Sequence, residues 1–179
     1  MSFADYFMKG VELIKLNSQT AADVSKDEQA FGMAILFIIL GGVASAIGSF
    51  NPLGIVIFPI GSLIGYFVWV GILHILAKIF GGAGSYMELF RPLGIASIIS
   101  WITVIPLLGP MIATLAGLWM IVVEVVVIRT VHQLSTGKAV AVVLIPVVIM
   151  IIIGVVIAAL IVAMFASMGL GGLSALANQ

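Results

Sequence analysis

The chain has no cysteine, so disulfide frameworks and thiolate metal or redox centres are excluded, and the sequence carries no mark of redox compartment. Charge is scarce as well: 8% of residues are Asp, Glu, Lys or Arg, against roughly a quarter in an ordinary soluble domain. Formal net charge is zero and the cations form no run, which removes the basic stripe that nucleic-acid binding needs to neutralise phosphates. The two histidines are not spaced four apart, so a zinc site has no support, and no Gly-x-Ser-x-Gly elbow is present. Because no nucleophile, base and metal set assembles from this inventory, the expectation is a non-enzymatic chain with no catalytic residue, no metal and no cofactor.

What the sequence does have is apolar length. Hydrophobic residues make up 63% of the chain and the mean hydropathy is +1.37. Water cannot be the solvent for most of such a surface, and runs longer than the ~20 residues a membrane span requires recur along the chain. The reading is an all-α, polytopic transmembrane helix bundle with five spans, at about 31–49, 55–80, 93–108, 111–132 and 139–168. A segment 1–29 precedes the five-span domain at 30–168, and a Gly-rich tail at 169–179 follows it. The first apolar run lies behind roughly thirty mixed residues and lacks a small-residue cleavage pattern, so it is expected to stay in the mature protein.

Within the first segment Phe3, Phe7, Val11 and Ile14 recur at helical spacing, while Asp5, Lys9, Glu12 and Lys15 can pair three or four apart. This pattern predicts an amphipathic helix lying at the membrane interface, with a solvated helix docked on the bundle as the alternative. Asn17 to Gln29 reads as a polar linker, with Ser18 and Thr20 as candidate caps. Arg91-Pro92 reads as the start of the third span. That span is short and contains Pro106, so its length alone would permit a re-entrant hairpin.

Charge decides between the two topologies. With five crossings and a cytoplasmic N-terminus, Lys9, Lys15, Lys26, Lys78, Arg91, Arg129 and Lys138 all fall on the cytoplasmic side, and these are every cation in the sequence. Five full crossings are therefore expected, with the C-terminus outside and the chain in the cell membrane if the host is prokaryotic. Small residues four apart, at Gly41 and Ser45, Ala44 and Gly48, Gly61 and Gly65, and Ala113 and Gly117, mark candidate packing or self-association faces.

Two stretches, "HILAKIFGGAGSYMELFRPLGIAS" and "LWMIVVEVVVIRTVHQLSTGKAV", resemble the Yip family, the Ypt/Rab-interacting membrane proteins. The match covers the second to fifth spans in order. It includes Gly81-Gly82-Ala83-Gly84-Ser85 followed by Glu88 and Arg91, and Ser135-Thr136-Gly137-Lys138-Ala139 at the opening of the last span. The resemblance implies five spans and a cytoplasmic N-terminus. For eukaryotic members it also implies vesicle traffic and binding to Rab-type GTPases and to one another. This chain departs from those members, which carry a longer N-terminal region; it looks like a short prokaryote-like member, for which Rab-type GTPase binding is in doubt.

Motifs suggestive of nucleotide binding fail on inspection. Ser135-Thr136-Gly137-Lys138 lacks the earlier glycine and preceding strand of a phosphate loop, so Lys138 is read as a neighbour of lipid phosphates. Glu124 stands apart, since a carboxylate inside an apolar helix is costly unless paired or protonated. Counting depth from Lys78 and Arg129 places His74 and Glu124 level, so the two are expected to meet between the second and fourth spans as an intramembrane polar pair. Trp69, Trp101 and Trp119 are expected at headgroups. Candidate binding residues on the cytoplasmic face are Lys15, Glu88, Arg91, Arg129, His132 and Lys138, with Phe7, Lys9 and Glu12 beside them. The leading reading is an adaptor or organiser of membrane components, partnered by the lipid bilayer and by a protein or a second copy; the alternative is a small transporter, channel or lipid-moving protein using Glu124 and His74.

Overall fold

The computed structural model describes residues 1–177, with side chains described except at 110 and 166–179. The two N-terminal helices each start at a side-chain cap. α1 (Phe3–Ile14) opens with a capping box, in which Asp5 N–H donates to Ser2 Oγ at 3.2 Å and Ser2 N–H donates to Asp5 Oδ2 at 2.7 Å. α2 (Ser18–Lys26) is capped by Asn17, whose Oδ1 accepts from Thr20 N–H at 3.1 Å. The stretch read as a linker is thus a helix, because Ala21, Val24 and Ser25 give it a narrow face that is buried.

Five helical stretches are long and apolar enough to cross a membrane: Ala30–Gly48, Gly54–Ile79, Tyr86–Val104, Met111–His132 and Thr136–Phe165. We label the helices concerned α3 (Ala30–Gly48), α4 (Gly54–Ile79), α5 (Tyr86–Ala96), α6 (Leu108–His132) and α7 (Thr136–Ala177), with a 3₁₀ segment (Ser97–Val104) completing the third span after α5. The protein is therefore an all-helical, multi-pass integral membrane protein, and among the described residues no strand occurs. α7 runs past Met168 into the Gly-rich segment, and residues 178–179 of the expected tail lie outside the described residues.

Boundaries differ from the sequence reading at the third span. Its helix starts at Tyr86, seeded by a capping box between Ser85 and Glu88, and Pro92 sits inside α5 instead of opening it. The segment beyond Ala96 tightens to 3₁₀ geometry, whose ~2.0 Å rise per residue lengthens a short span.

Residues 1–143 form one compact unit and Leu144–Gln179 another. In the first, α3 is the hub, packed against α4, α5 and the 3₁₀ segment. Close approach is bought with glycine at Gly42, where an added Cβ would lie 2.5 Å from Pro59 Cα. The faces expected at Gly41/Ser45 and Ala44/Gly48 do meet the 3₁₀ segment, at Ser100 and Thr103. Those expected at Gly61/Gly65 and at Gly117 do not pack in this chain, since a Cβ there would meet nothing within 4 Å. In the second unit, residues 148–165 are exposed all round the helix, as lipid permits and water would not.

α1 docks on α5 and the 3₁₀ segment through Tyr6, Gly10 and Leu13, all buried. The buried stripe is offset from the one read in the sequence: Phe3 and Phe7 lie on its flank, partly exposed, against Trp101, and Phe3 also against Phe37. Tyr6 could not be chosen from periodicity, because its burial depends on Asp27, whose Oδ2 accepts from Tyr6 Oη at 2.8 Å.

Candidate functional site

The turns after α4 and α6 gather Lys78, Arg91, Arg129 and Lys138. Arg91 Nη1 donates to Ser25 O at 2.7 Å, tying α5 to α2. Lys78 Nζ donates to Ala83 O at 3.1 Å and Lys138 Nζ to Phe80 O at 3.0 Å, so both cap carbonyls that the end of α4 and the following turn leave open. Arg129, exposed, reaches Thr136 Oγ1 at 3.4 Å. Lys15 pairs with Glu12 at 3.1 Å on the exposed side of α1. Glu88 is committed to Ser85 in the capping box of α5. Glu88, Arg91, Arg129, His132 and Lys138 thus lie around the turns that follow α4 and α6, several of them holding local backbone, while Lys15 stays with Glu12 on α1.

Lys9 and Asp27 form the second ion pair, at 3.7 Å, beside the Tyr6 hydrogen bond. Burial pushes the Tyr6 hydroxyl up to about 12, reinforced by the Asp27 carboxylate it faces. For Asp27, burial works against ionisation, but the Tyr6 hydroxyl, the Gln29 N–H and Lys9 together hold its carboxyl below the usual range.

A cleft of about 290 Å³ opens between α2, the turn after α4 and the end of α6. Ser25, Lys26, Glu88, Thr130 and Gln133 supply its polar lining, and Gly84 gives it a backbone wall. The turn is fixed to α6 by Ala83 N–H donating to His132 O at 3.0 Å.

Inside the bundle the expected Glu124–His74 pair is replaced by two separate contacts. Trp69 Nε1 donates to Glu124 Oε1 at 2.8 Å. His74 instead lies edge-on to Tyr86, with ring centroids 5.9 Å apart, and 5.3 Å from the ring of His132. The depth count from Lys78 and Arg129 picks out His74, whereas the carboxylate meets Trp69, five residues further from the end of α4. His132, read as a candidate binding residue on the cytoplasmic face, is buried at 1% exposure, and neither of its ring nitrogens has a protein partner. The tryptophans expected at headgroups each bond to protein: Trp101 Nε1 to Phe37 O at 3.0 Å, Trp119 Nε1 to Ile14 O at 2.8 Å, and Trp69 to Glu124. Sequence offered one usable signal for Trp69, that a buried carboxylate in an apolar helix needs a donor and indole is a donor only.

Among the described residues no group of three His, Asp or Glu side chains converges to hold a metal ion. The class defined by these features is a five-span helical membrane protein with docked N-terminal helices and a polar cleft at its charged end. Within that class the chain belongs to the Yip1 domain family, whose model matches residues 12–158, from within α1 into α7. No curated protein and no solved structure matches the chain.

Proposed function

We propose that this protein is a non-enzymatic adaptor that organises membrane components through the charged end of its bundle, held in the cytoplasm. The observation that carries this reading is the polar cleft between α2, the turn after α4 and the end of α6. Its walls are ordered before any partner arrives, by the Arg91–Ser25 and Ala83–His132 hydrogen bonds, so a partner's polar segment binds without the cost of ordering them. Lys26 and Gln133 stand exposed at its rim. The partner class is a membrane-associated protein segment or a second copy of the chain; the Rab-type GTPases of eukaryotic relatives are not carried over.

The test is photo-crosslinking in native membranes with reactive residues at Lys26, Gln133 and Lys138. A discrete protein captured at Lys26 and Gln133, and lost when Lys26→Glu and Gln133→Glu are introduced, supports the adaptor. If recovery of that protein is indifferent to both substitutions, the assignment fails. A second reading, a small transporter or lipid-moving protein, is favoured by hydroxyls lining a recess near Glu124. Proteoliposome flux that Glu124→Gln abolishes would support it.

A further inference from the structure

Between α3, α4 and the 3₁₀ segment lies a recess of about 290 Å³, distinct from the polar cleft at the charged end. Ser45 of α3, Ser62, Tyr66 and Trp69 of α4, and Ser97 and Ser100 of the 3₁₀ segment line it. Their hydrogen bonds decide what chemistry they offer. Ser97 Oγ donates to Gly94 O at 2.6 Å, Ser100 Oγ to Ser97 O at 2.7 Å, and Thr103 Oγ1 to Ser100 O at 2.7 Å, each three residues back. With the Thr103 proton committed, the 3.0 Å contact between Ser45 Oγ and Thr103 Oγ1 takes its proton from Ser45. Tyr66 Oη donates to Leu93 O at 2.9 Å, and Trp69 Nε1 donates to Glu124.

A hydroxyl has one proton and two lone pairs. With those protons spent on protein, Ser45, Ser97, Ser100 and Tyr66 retain only acceptor capacity, and Ser62 is the one lining hydroxyl whose proton is uncommitted among the described residues. Four acceptors against one free hydroxyl proton favour an occupant that brings donors or positive charge. Behind Trp69 stands Glu124, 7% exposed, and the two ion pairs among the described residues, Lys9–Asp27 and Lys15–Glu12, do not involve it. A carboxylate inside a bundle without a cation is costly, and a positive occupant in the adjoining recess offsets that cost. The volume is near the lower end of small-ligand sites, roughly 300–1,000 Å³, and too large for a bare ion. Two aromatic side chains in the wall suit an alkylated cation, which they attract through their ring faces.

We propose that this recess binds a small organic ammonium of the size of ethanolamine or choline, as a free amine or as a lipid headgroup. Gly65 provides the means to test it, because it lines the recess and an added Cβ there meets nothing within 4 Å. Gly65→Leu therefore fills the recess without moving backbone, and Gly65→Val serves if the leucine variant does not fold.

The experiment follows the unfolding midpoint of the full chain in a detergent without ammonium groups. Titrants are choline, ethanolamine, the neutral choline isostere 3,3-dimethylbutanol, and sodium chloride at matched ionic strength. A saturable rise with choline or ethanolamine alone is expected, about tenfold weaker in Glu124→Gln and lost in the filled variant. Repeating the titration in nanodiscs separates the sources: a lipid-headgroup occupant makes phosphatidylethanolamine or phosphatidylcholine discs insensitive to added choline, while a free amine binds alike in these and in phosphatidylglycerol discs. Equal shifts with the neutral isostere or with sodium chloride, no shift at all, full affinity in Glu124→Gln, or a shift that survives filling would each overturn the site.

Discussion

The indole nitrogen of Trp69 lies 2.8 Å from Glu124 Oε1, joining α4 to α6 inside the membrane-spanning bundle. No charged partner contributes to this bond, so the carboxylate depends on a neutral donor. Removing that donor while keeping the ring, in Trp69→Phe, leaves a buried acceptor unsatisfied and is expected to cost about 1–3 kcal/mol. In Trp69→Phe with Glu124→Leu both partners are apolar and most of the loss returns. Unfolding titrations of the two single variants and the double variant give the coupling; strictly additive losses would refute the contact.

Gly42 and Gly61 are both glycines in apolar spans, yet their surroundings predict opposite outcomes. A Cβ on Gly42 runs into the Pro59 backbone, so Gly42→Ala is expected to lose about 1–3 kcal/mol by overpacking. A Cβ on Gly61 meets nothing within 4 Å, so Gly61→Ala is expected to be neutral or to gain up to ~1 kcal/mol from helix propensity. Comparing the unfolding midpoints of the two variants checks both signs at once.

Docking of α1 through Tyr6 and Asp27 is expected to depend on pH at both extremes. The folded Asp27 value is depressed, so its contribution is present above the ordinary carboxylate range and is lost as pH falls through the lowered value. The Tyr6 value is raised, so its contribution is complete below pH ~10 and is lost as pH rises through about 12. Proteolysis between α1 and α3 reports the undocked state. Tyr6→Phe should admit protease near neutral pH, and a Tyr6→Phe chain as resistant as the parent would remove this bond from the account.

Orientation can be read directly because the chain contains no cysteine. A single Cys at Lys26 and another at Leu53, both exposed positions at opposite ends of the first span, probe the two sides. With the charged end in the cytoplasm, an impermeant maleimide labels Leu53→Cys on intact cells and Lys26→Cys only after permeabilisation. The reverse pattern would place the polar cleft outside and end the adaptor proposal.

The number and approximate placement of the spans were legible, because runs such as 139–168 have few charges and no alternative burial in water. The first helix was legible too, through its spacing of Phe3, Phe7, Val11 and Ile14, but its docked face was not. Periodicity finds an apolar stripe; it cannot see that Asp27 and Ile98 make the adjacent stripe of Tyr6 and Gly10 the better one to bury. α2 was missed for the same reason, since the buried pair Ala21 and Val24 acquires meaning only against α5 and α6.

The partner of Glu124 shows the same limit at the candidate site. Sequence established that this carboxylate had to be accommodated, because the cost of a buried charge is a property of the residue and its apolar neighbours. Which group answers it depends on the register between α4 and α6, and five residues along α4 separate the expected His74 from the observed Trp69.

By itself, then, the sequence determined a membrane solvent and five helical spans, both consequences of hydropathy summed over long segments. Only the tertiary structure decided which stripe of α1 is buried, that glycine works at Gly42 and stands free at Gly61 and Gly65, and that hydroxyls of three elements converge on one recess with all but one of their protons already spent. Those features arise from register and crossing between helices, and a few ångströms of sliding along an apolar face cost too little in hydropathy for the sequence to record them.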